Sequence, residues 1–150
     1  MVFLQIQNNS TMKYLYRRQT LEKLAETICK NEKIKSDVEV SLLFCDDPFI
    51  QSLNMQYRAK DEPTDVLSFQ QEGFSHEGIT LLGDIVISLE TVQRFCNHDR
   101  KAMRDEIRLL FCHGLLHLLG YTHKKRKDRE VMLIKQACYL GVEVEHAWHS

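Results

Sequence analysis

The most constraining feature of this 150-residue sequence is an apolar segment, HGLLHLLGYTH (residues 113–123), that contains three histidines. His113 and His117 are four residues apart, which on an α-helix places them about 40° apart on one face, one turn above the other. Gly120 allows the chain to leave the helix through a left-handed conformation, so the following turn can bring His123 back toward the same point. The segment therefore predicts a helix that ends beside a cluster of three imidazoles.

Three neutral imidazoles at this spacing predict a metal site. They leave one position of a tetrahedral zinc ion open for water or substrate, as in catalytic rather than structural zinc sites. A closed structural site would need a fourth ligand, and no spacing connects the triad to the other candidates, which are His76, His98, Glu145, His146 and His149. We interpret those residues as parts of loops and of a solvated tail. The prediction is one Zn²⁺ per chain, held by His113, His117 and His123, although imidazole also suits nickel.

The spacing H-x-x-x-H-x-x-G-x-x-H coincides with that of the metzincin proteases, H-E-x-x-H-x-x-G-x-x-H. In those enzymes the residue after the first histidine is a glutamate that acts as the general base. Here that residue is Gly114, which cannot accept a proton. A metalloprotease is therefore the less favoured enzyme, although a metal bound here would still polarise an oxygen atom of a substrate.

Apolar periodicity along the rest of the chain predicts an α+β fold. Alternating apolar and polar residues predict strands over 2–7, 37–45, 65–69 and 81–88. Helical spacing predicts helices over 16–30, from about Pro48, over 88–97, over 99–120 and over 126–140. Polar residues 58–64 and the segment between the last two strands are predicted loops. This order predicts a single domain, residues 1–150, with a four-stranded mixed sheet, about five helices and a zincin-like metal helix.

The charge of the chain bears on what it can bind. The formal net charge is −1, so the chain as a whole lacks the basic excess of many nucleic-acid-binding proteins. Contact with RNA or DNA would need a local patch, and the run HKKRKDR supplies five basic residues, Lys124, Lys125, Arg126, Lys127 and Arg129. Either this run draws an RNA backbone toward the metal or it is a solvated helix start. Arg104 and Arg108 would extend the patch on the helix that carries His113.

Cysteine usage and the apolar segments indicate a compartment. The five cysteines are odd in number and contain no CxxC pair, so neither a disulfide framework nor a cysteine zinc site is predicted. We interpret them as buried thiols in a reducing compartment. The N-terminal segment MVFLQIQNNS has no basic region before a long apolar stretch, and the longest apolar run is interrupted by Arg108 and two histidines. We expect a cytoplasmic protein without a membrane partner.

Three motifs occur in an order that identifies a resemblance. They are LNMQYRAKDEPTDVLSF (residues 53–69), LLGDIVIS (residues 81–88) and HGLLHLLGYTH (residues 113–123). Together they resemble the YbeY family of bacterial endoribonucleases over about residues 38–141. The resemblance implies a zinc-dependent endoribonuclease, specific for single-stranded RNA, that matures ribosomal RNA at the 3′ end of the small-subunit RNA and helps remove defective ribosomes. It implies single-stranded and ribosomal RNA as partners, with ribosomal subunit proteins as further candidates.

The resemblance also implies roles for individual residues. It makes His113, His117 and His123 the metal ligands and Arg58 a catalytic residue. A guanidinium in a polar loop can clamp a phosphate through paired hydrogen bonds and stabilise developing charge, which agrees with this role. The family motif G-Y-D-H reads G-Y-T-H here, so Thr122 removes a carboxylate beside the metal and leaves proton handling open.

Two mechanisms and one further function stay open at this point. Zinc would either activate a water or polarise the phosphate for attack by the neighbouring ribose hydroxyl, while Arg58 neutralises phosphate charge. The other function is a non-catalytic ribosome-assembly factor whose metal stabilises the fold.

Overall fold

A mixed β-sheet organises the computed structural model, which describes residues 1–13, 15–71 and 75–148. The strands are β1 (Val2–Asn8), β2 (Asp37–Cys45), β3 (Val66–Gln70), β4 (Ser75–His76) and β5 (Ile79–Ser88). The sheet has the order β1-β2-β5-β3, and the two-residue β4 pairs with the start of β5. Strands β1, β2 and β5 are parallel, whereas β3 is antiparallel to β5. The predicted single domain with a four-stranded mixed sheet is confirmed.

The helices follow the predicted order. They are α1 (Arg18–Asn31), α2 (Asp47–Arg58), α3 (Leu89–Phe95), α4 (Arg100–Leu118) and α5 (Arg126–Leu140), followed by a 3₁₀ turn at Val144–His146. Within the described ranges, no helix is both long enough and apolar enough to cross a membrane.

Three local predictions need correction. Arg58, predicted to begin a loop, is the last residue of α2, because Ala59 after it takes a left-handed conformation with φ 57°. The loop predicted before β5 contains β4 and the first residues of β5, while residues 72–74 lie outside the described residues. Cys138 is exposed, whereas the other four cysteines are buried as predicted.

The two faces of the sheet are covered by different helices. On one face, the main core contains apolar side chains of β2 and β5 together with buried residues of α1, α4 and α5. On the other face, Ile50 of α2 packs with Leu67 of β3 and Val86 of β5. Ile85 and Ile87 belong to the first core and Val86 to the second, as the period of two in a strand requires.

Helix α4 is the central helix of the domain. Its N-terminus is capped by Asp99, whose side chain accepts a hydrogen bond of 2.9 Å from the Ala102 amide. The residues from Leu110 to Leu116 are all buried, so nearly two turns are covered on every side. The sheet, α1, α3 and α5 all contact this helix. This position explains why the segment is almost continuously apolar around its two histidines.

Two glycines allow α4 and the sheet to approach closely. A Cβ atom on Gly114 would lie 2.9 Å from Cγ2 of Ile85 and 3.1 Å from Oγ of Ser68, so this side of α4 rests directly on β5 and β3. Gly83 of β5 has φ 141°, and a Cβ atom there would lie 2.1 Å from the backbone oxygen of Phe69. Both positions therefore require glycine for steric reasons.

Candidate metal centre

The structure brings the three predicted histidines together. One ligand-capable nitrogen of each ring lies within 4.8 Å of the others. The Nε2 atoms of His113 and His117 are 3.0 Å apart. His113 is buried, His117 is half-buried and His123 is exposed. The cluster therefore spans from the core to the surface, with its open side at His123.

His123 returns to the cluster because α4 ends in a Schellman motif. The amide of Gly120 donates to the carbonyl of His117 at 3.0 Å, and the amide of Tyr121 donates to that of Leu116 at 3.0 Å. Gly120 has φ 106°, a region that L side chains rarely adopt. These bonds turn the chain by a fixed amount immediately after the helix, as the glycine in the sequence predicted.

Hydrogen bonds at Nδ1 fix the orientation of both helical histidines. Nδ1 of His113 lies 2.8 Å from Oε1 of Gln136, and Nδ1 of His117 lies 2.8 Å from the backbone oxygen of Tyr121. The amide of Gln136 is itself oriented, because its Nε2 donates to the carbonyl of Ala147 at 2.8 Å. Both partners of the rings are thus acceptors, so each Nδ1 carries the proton and each Nε2 presents a lone pair.

The facing Nε2 atoms fit a bound cation. Two lone pairs at 3.0 Å repel each other unless one ring takes a second proton. Burial lowers the pKa of His117, and the charges of His123 and Arg58 lower it further, against the hydrogen bond to Tyr121, which raises it. A second proton on His117 is therefore disfavoured. A divalent cation bound by both atoms would satisfy the lone pairs, and neutral imidazole is a ligand that zinc and nickel accept.

The end of the described chain closes over His113. Gln136 on α5 is 1% exposed and connects His113 to Ala147, as described above. The indole of Trp148 stacks on the ring of His113, with ring centroids 4.0 Å apart and an interplanar angle of 18°. A cavity of about 190 Å³ lies beside this stack and is lined by His113, His123, Arg129, Met132, Leu133, Gln136 and Trp148. One face of the cluster is therefore partly covered by Trp148 and by side chains of α5.

The stack on His113 predicts an optical signal for metal binding. Trp148 is the only tryptophan in the chain. Adding Co²⁺ or Ni²⁺ to the metal-free protein is expected to quench tryptophan fluorescence, with an end point at one equivalent, because the ion would bind to the imidazole that touches the indole. Mg²⁺ prefers oxygen ligands and is the control that should leave the emission unchanged. Quenching that continues well past one equivalent would contradict a single site.

Arg58 belongs to the same region. It is exposed at the end of α2, and its charge contributes to the lowered pKa of His117. The loop after it is held in place, since the buried amide of Asn54 donates to the carbonyl of Glu62 at 3.0 Å and Nε2 of Gln51 donates to Oδ1 of Asp61 at 3.0 Å. The loop is therefore anchored to α2 rather than free.

The basic residues predicted as a patch divide into two groups. The side chains of the run after His123 are exposed; they are Lys124, Lys125, Arg126, Lys127 and Arg129. Arg108 is used elsewhere, because its guanidinium donates to the carbonyl of Leu140 at 3.1 Å. Arg104 and Arg108 line a separate cavity together with residues of α1. The structure keeps the run beside the triad and does not extend it along α4.

The structure brings no fourth ligand to the cluster from those of the other candidates that it describes. Among the described residues, the group able to hold a metal ion consists of the three histidines alone. His98, Glu145 and His146 are not part of this group. The side chain of His76 and the whole of His149 lie outside what the structure describes.

Sequence reasoning missed the residues that support the cluster. A signal for Gln136 exists, because it lies four residues from both Met132 and Leu140 and is the polar member of a buried stripe on α5. A polar residue in such a stripe needs a hydrogen-bonding partner. For Trp148 and the carbonyl of Tyr121 we find no comparable local signal.

Comparison with known proteins gives consistent matches. The family described as "Endoribonuclease YbeY" matches residues 5–141. The protein of that name from Pelotomaculum thermopropionicum is 42% identical over 125 residues, covering 81% of this chain and 82% of the relative. That from Desulforamulus reducens is 41% identical over 137 residues, covering 85% and 90%. The solution structure of TM1509 from Thermotoga maritima is 29% identical, with a TM-score of 0.53, and the match covers 99% of this chain and 89% of that one.

Proposed function

Because the chain belongs to the Endoribonuclease YbeY family, we propose that it is an RNA endonuclease whose active site combines the histidine triad with Arg58. Its substrates are single-stranded segments of ribosomal RNA, including the 3′ end of the small-subunit RNA. Its compartment is the cytoplasm, which suits five free thiols. Ribosomal subunit proteins are candidate partners.

The observation that carries this proposal is the pair of Nε2 atoms at 3.0 Å, with both Nδ1 atoms committed to acceptors. The proposed cofactor is one Zn²⁺, held by His113, His117 and His123. When bound, the ion would supply a Lewis acid that polarises a phosphate oxygen and favours ionisation of the attacking oxygen. A nickel ion would suit the same ligands.

The side chains of the protein have distinct tasks in this proposal. Gln136 and the carbonyl of Tyr121 hold two imidazoles in fixed orientations, so they do not have to reorganise when substrate binds. Arg58 binds the non-bridging phosphate oxygens through paired donors and compensates the charge that develops during attack. The exposed basic run, with five basic and two acidic residues over 124–130, draws the RNA backbone toward the triad.

Either a water or the ribose 2′-hydroxyl is the nucleophile in this site. The products separate the two routes, because attack by the ribose leaves a 2′,3′-cyclic phosphate and attack by water does not. Thr122, at the position of the family's aspartate, has its hydroxyl 3.5 Å from Oδ2 of Asp128. A carboxylate of α5 thus lies beside this position and is a candidate replacement for the lost proton acceptor.

The packing of α4 argues against proteolysis as the function. A Cβ atom at position 114 would lie 2.9 Å from Cγ2 of Ile85 and 3.1 Å from Oγ of Ser68. A glutamate there would collide with the sheet before its carboxylate reached a substrate. The missing general base of the metzincin motif is therefore a consequence of how α4 packs.

The test of the proposal is the substitution Arg58→Ala at matched metal content. Cleavage of single-stranded RNA is expected to fall by about 10²–10³-fold in kcat, the effect typical of losing one preorganised donor to a developing charge. Arg17→Ala, which removes an exposed arginine near the start of α1, is the control and should cleave like the parent protein. Metal content and far-UV circular dichroism are measured on all three samples, so that a loss of chemistry is separated from a loss of structure.

Two results would contradict the proposal. Equal cleavage by the parent and Arg58→Ala would remove Arg58 from the site. No cleavage by the metal-loaded parent, combined with RNA binding, would favour the assembly-factor function instead.

A further inference from the structure

Glu32, directly after α1, is the centre of a hydrogen-bond network that joins three distant segments. Its Oε1 accepts a hydrogen bond of 2.5 Å from the phenol of Tyr121. Its Oε2 accepts hydrogen bonds from Nζ of Lys135 at 3.1 Å and from the phenol of Tyr139. The side chain of Glu32 is 11% exposed. A carboxylate so well satisfied and so little hydrated is a fixed point of the structure.

Tyr121 connects this fixed point to the metal site. Its phenol donates to Glu32, and its backbone carbonyl is the acceptor 2.8 Å from Nδ1 of His117. Its amide is bound in the Schellman motif, to the carbonyl of Leu116 at 3.0 Å. The hydrogen bond of the backbone amide fixes one end of the residue, and the hydrogen bond of the phenol fixes the other. The peptide carbonyl between Tyr121 and Thr122 is thereby held at the position where it meets the imidazole.

We propose that Glu32 is a positioning residue for His117 and acts through Tyr121. By anchoring the phenol it holds the Tyr121 carbonyl against Nδ1 of His117, which keeps the proton on Nδ1 and directs the lone pair of Nε2 toward the ion. The inference rests on the metal site of the proposed function but not on RNA cleavage. Residues that hydrogen-bond directly to the ring of a metal-binding histidine usually contribute about 10–100-fold to metal affinity. Glu32 does not touch the ring of His117 itself but acts through one intervening residue, Tyr121.

The network offers matched variants for the test. Tyr121→Phe removes only the phenol oxygen that connects Glu32 to the ligand loop. Tyr139→Phe removes another phenol from the same carboxylate, but Tyr139 lies on α5, where its phenol donates to Glu32. The two variants therefore make similar changes to the network, and only one lies on the route to His117. Glu32→Ala removes the whole anchor.

The readouts are the dissociation constant for Zn²⁺ in competition with a chromophoric chelator and the visible spectrum of bound Co²⁺. Both are measured on the full chain, together with the thermal midpoint of the metal-free protein. Tyr121→Phe and Glu32→Ala are expected to weaken Zn²⁺ binding by about 10-fold and to change the Co²⁺ spectrum. Tyr139→Phe is expected to lower the thermal midpoint while its Zn²⁺ affinity stays within about twofold of the parent.

The outcomes separate this inference from the proposed function. Parent-like Zn²⁺ affinity in Tyr121→Phe would overturn it, and so would an equal loss of affinity in Tyr139→Phe, because the carboxylate would then act only through general stability. A parent protein that binds Zn²⁺ but cleaves no RNA would refute the proposed function and leave this test intact. A parent protein that binds neither Zn²⁺ nor Co²⁺ would overturn both.

Discussion

Replacing His117 by alanine is expected to weaken Zn²⁺ binding by more than about 100-fold and to abolish RNA cleavage. This loss exceeds the one that is typical when a residue that only hydrogen-bonds to a metal ligand is removed. His117 lies between the other two members of the triad, with its Nε2 3.0 Å from that of His113 and its ring centroid 4.7 Å from that of His123. Without it, His113 and His123 remain as a pair of imidazoles with ring centroids 5.5 Å apart, and two ligands hold an ion far less tightly than three.

The fold is expected to survive this change. His117 is half-buried, and the neighbouring Leu115 and Leu116 remain in the core. Metal content by elemental analysis, RNA cleavage and thermal unfolding are the measurements. His146→Ala removes an exposed histidine outside the triad and is the control, which should match the parent in all three. One equivalent of tightly bound zinc in His117→Ala would show that the triad is not the metal site.

The second large effect concerns stability. Gly83→Ala is expected to destabilise the protein by about 3–5 kcal/mol, through strained backbone and overpacking together. The new Cβ atom would lie 2.1 Å from the backbone oxygen of Phe69 and 2.9 Å from Cδ2 of Leu118. The first of these neighbours is part of the paired strand, so it cannot rotate away. Urea unfolding followed by circular dichroism measures the change.

Gly78 provides the comparison, because it has φ 79° but nothing within 4 Å of the position of a Cβ atom. Gly78→Ala should therefore cost only the backbone strain, about 1 kcal/mol. Similar unfolding midpoints for the two variants would mean that β3 and β5 separate easily at Gly83. The position also matters for the site, since Gln70 beside it donates to the carbonyl of Leu118 at 3.0 Å and ties β3 to the end of α4.

The sequence was most informative where contacts are local. Two histidines at a spacing of four, followed by a glycine, predicted the triad, because helix geometry and the Schellman turn involve residues within one or two turns. The strands and helices were predicted for the same reason, from the alternation or helical spacing of apolar residues. Arg58 was predicted to begin a loop but is the last residue of α2. The end of the helix was hard to predict because the left-handed residue after it is an alanine rather than the usual glycine.

The supporting contacts of the site were out of reach because they join distant segments. Gln136 meets His113 across 23 positions of the sequence, and Tyr121 meets Glu32 across 89. No periodic pattern relates residues so far apart, and only the packing of α5 and α1 against α4 brings them together. The sequence shows that Gly114 stands where a metzincin has its glutamate base. Only the structure shows why a larger residue does not fit there, because a Cβ atom would collide with Ile85.

The burial of α4 would separate the rate at which a bound metal exchanges from the rate of unfolding. Two ligands lie on a helix whose amides, enclosed on every side from Leu110 to Leu116, should exchange hydrogen only when the whole domain opens. The third, His123, lies on an exposed loop that can open locally at far lower cost. In zinc fingers, capture of the ion and folding are a single event. Here an ion would enter and leave by way of the loop, while the remaining two imidazoles keep their places in a folded protein.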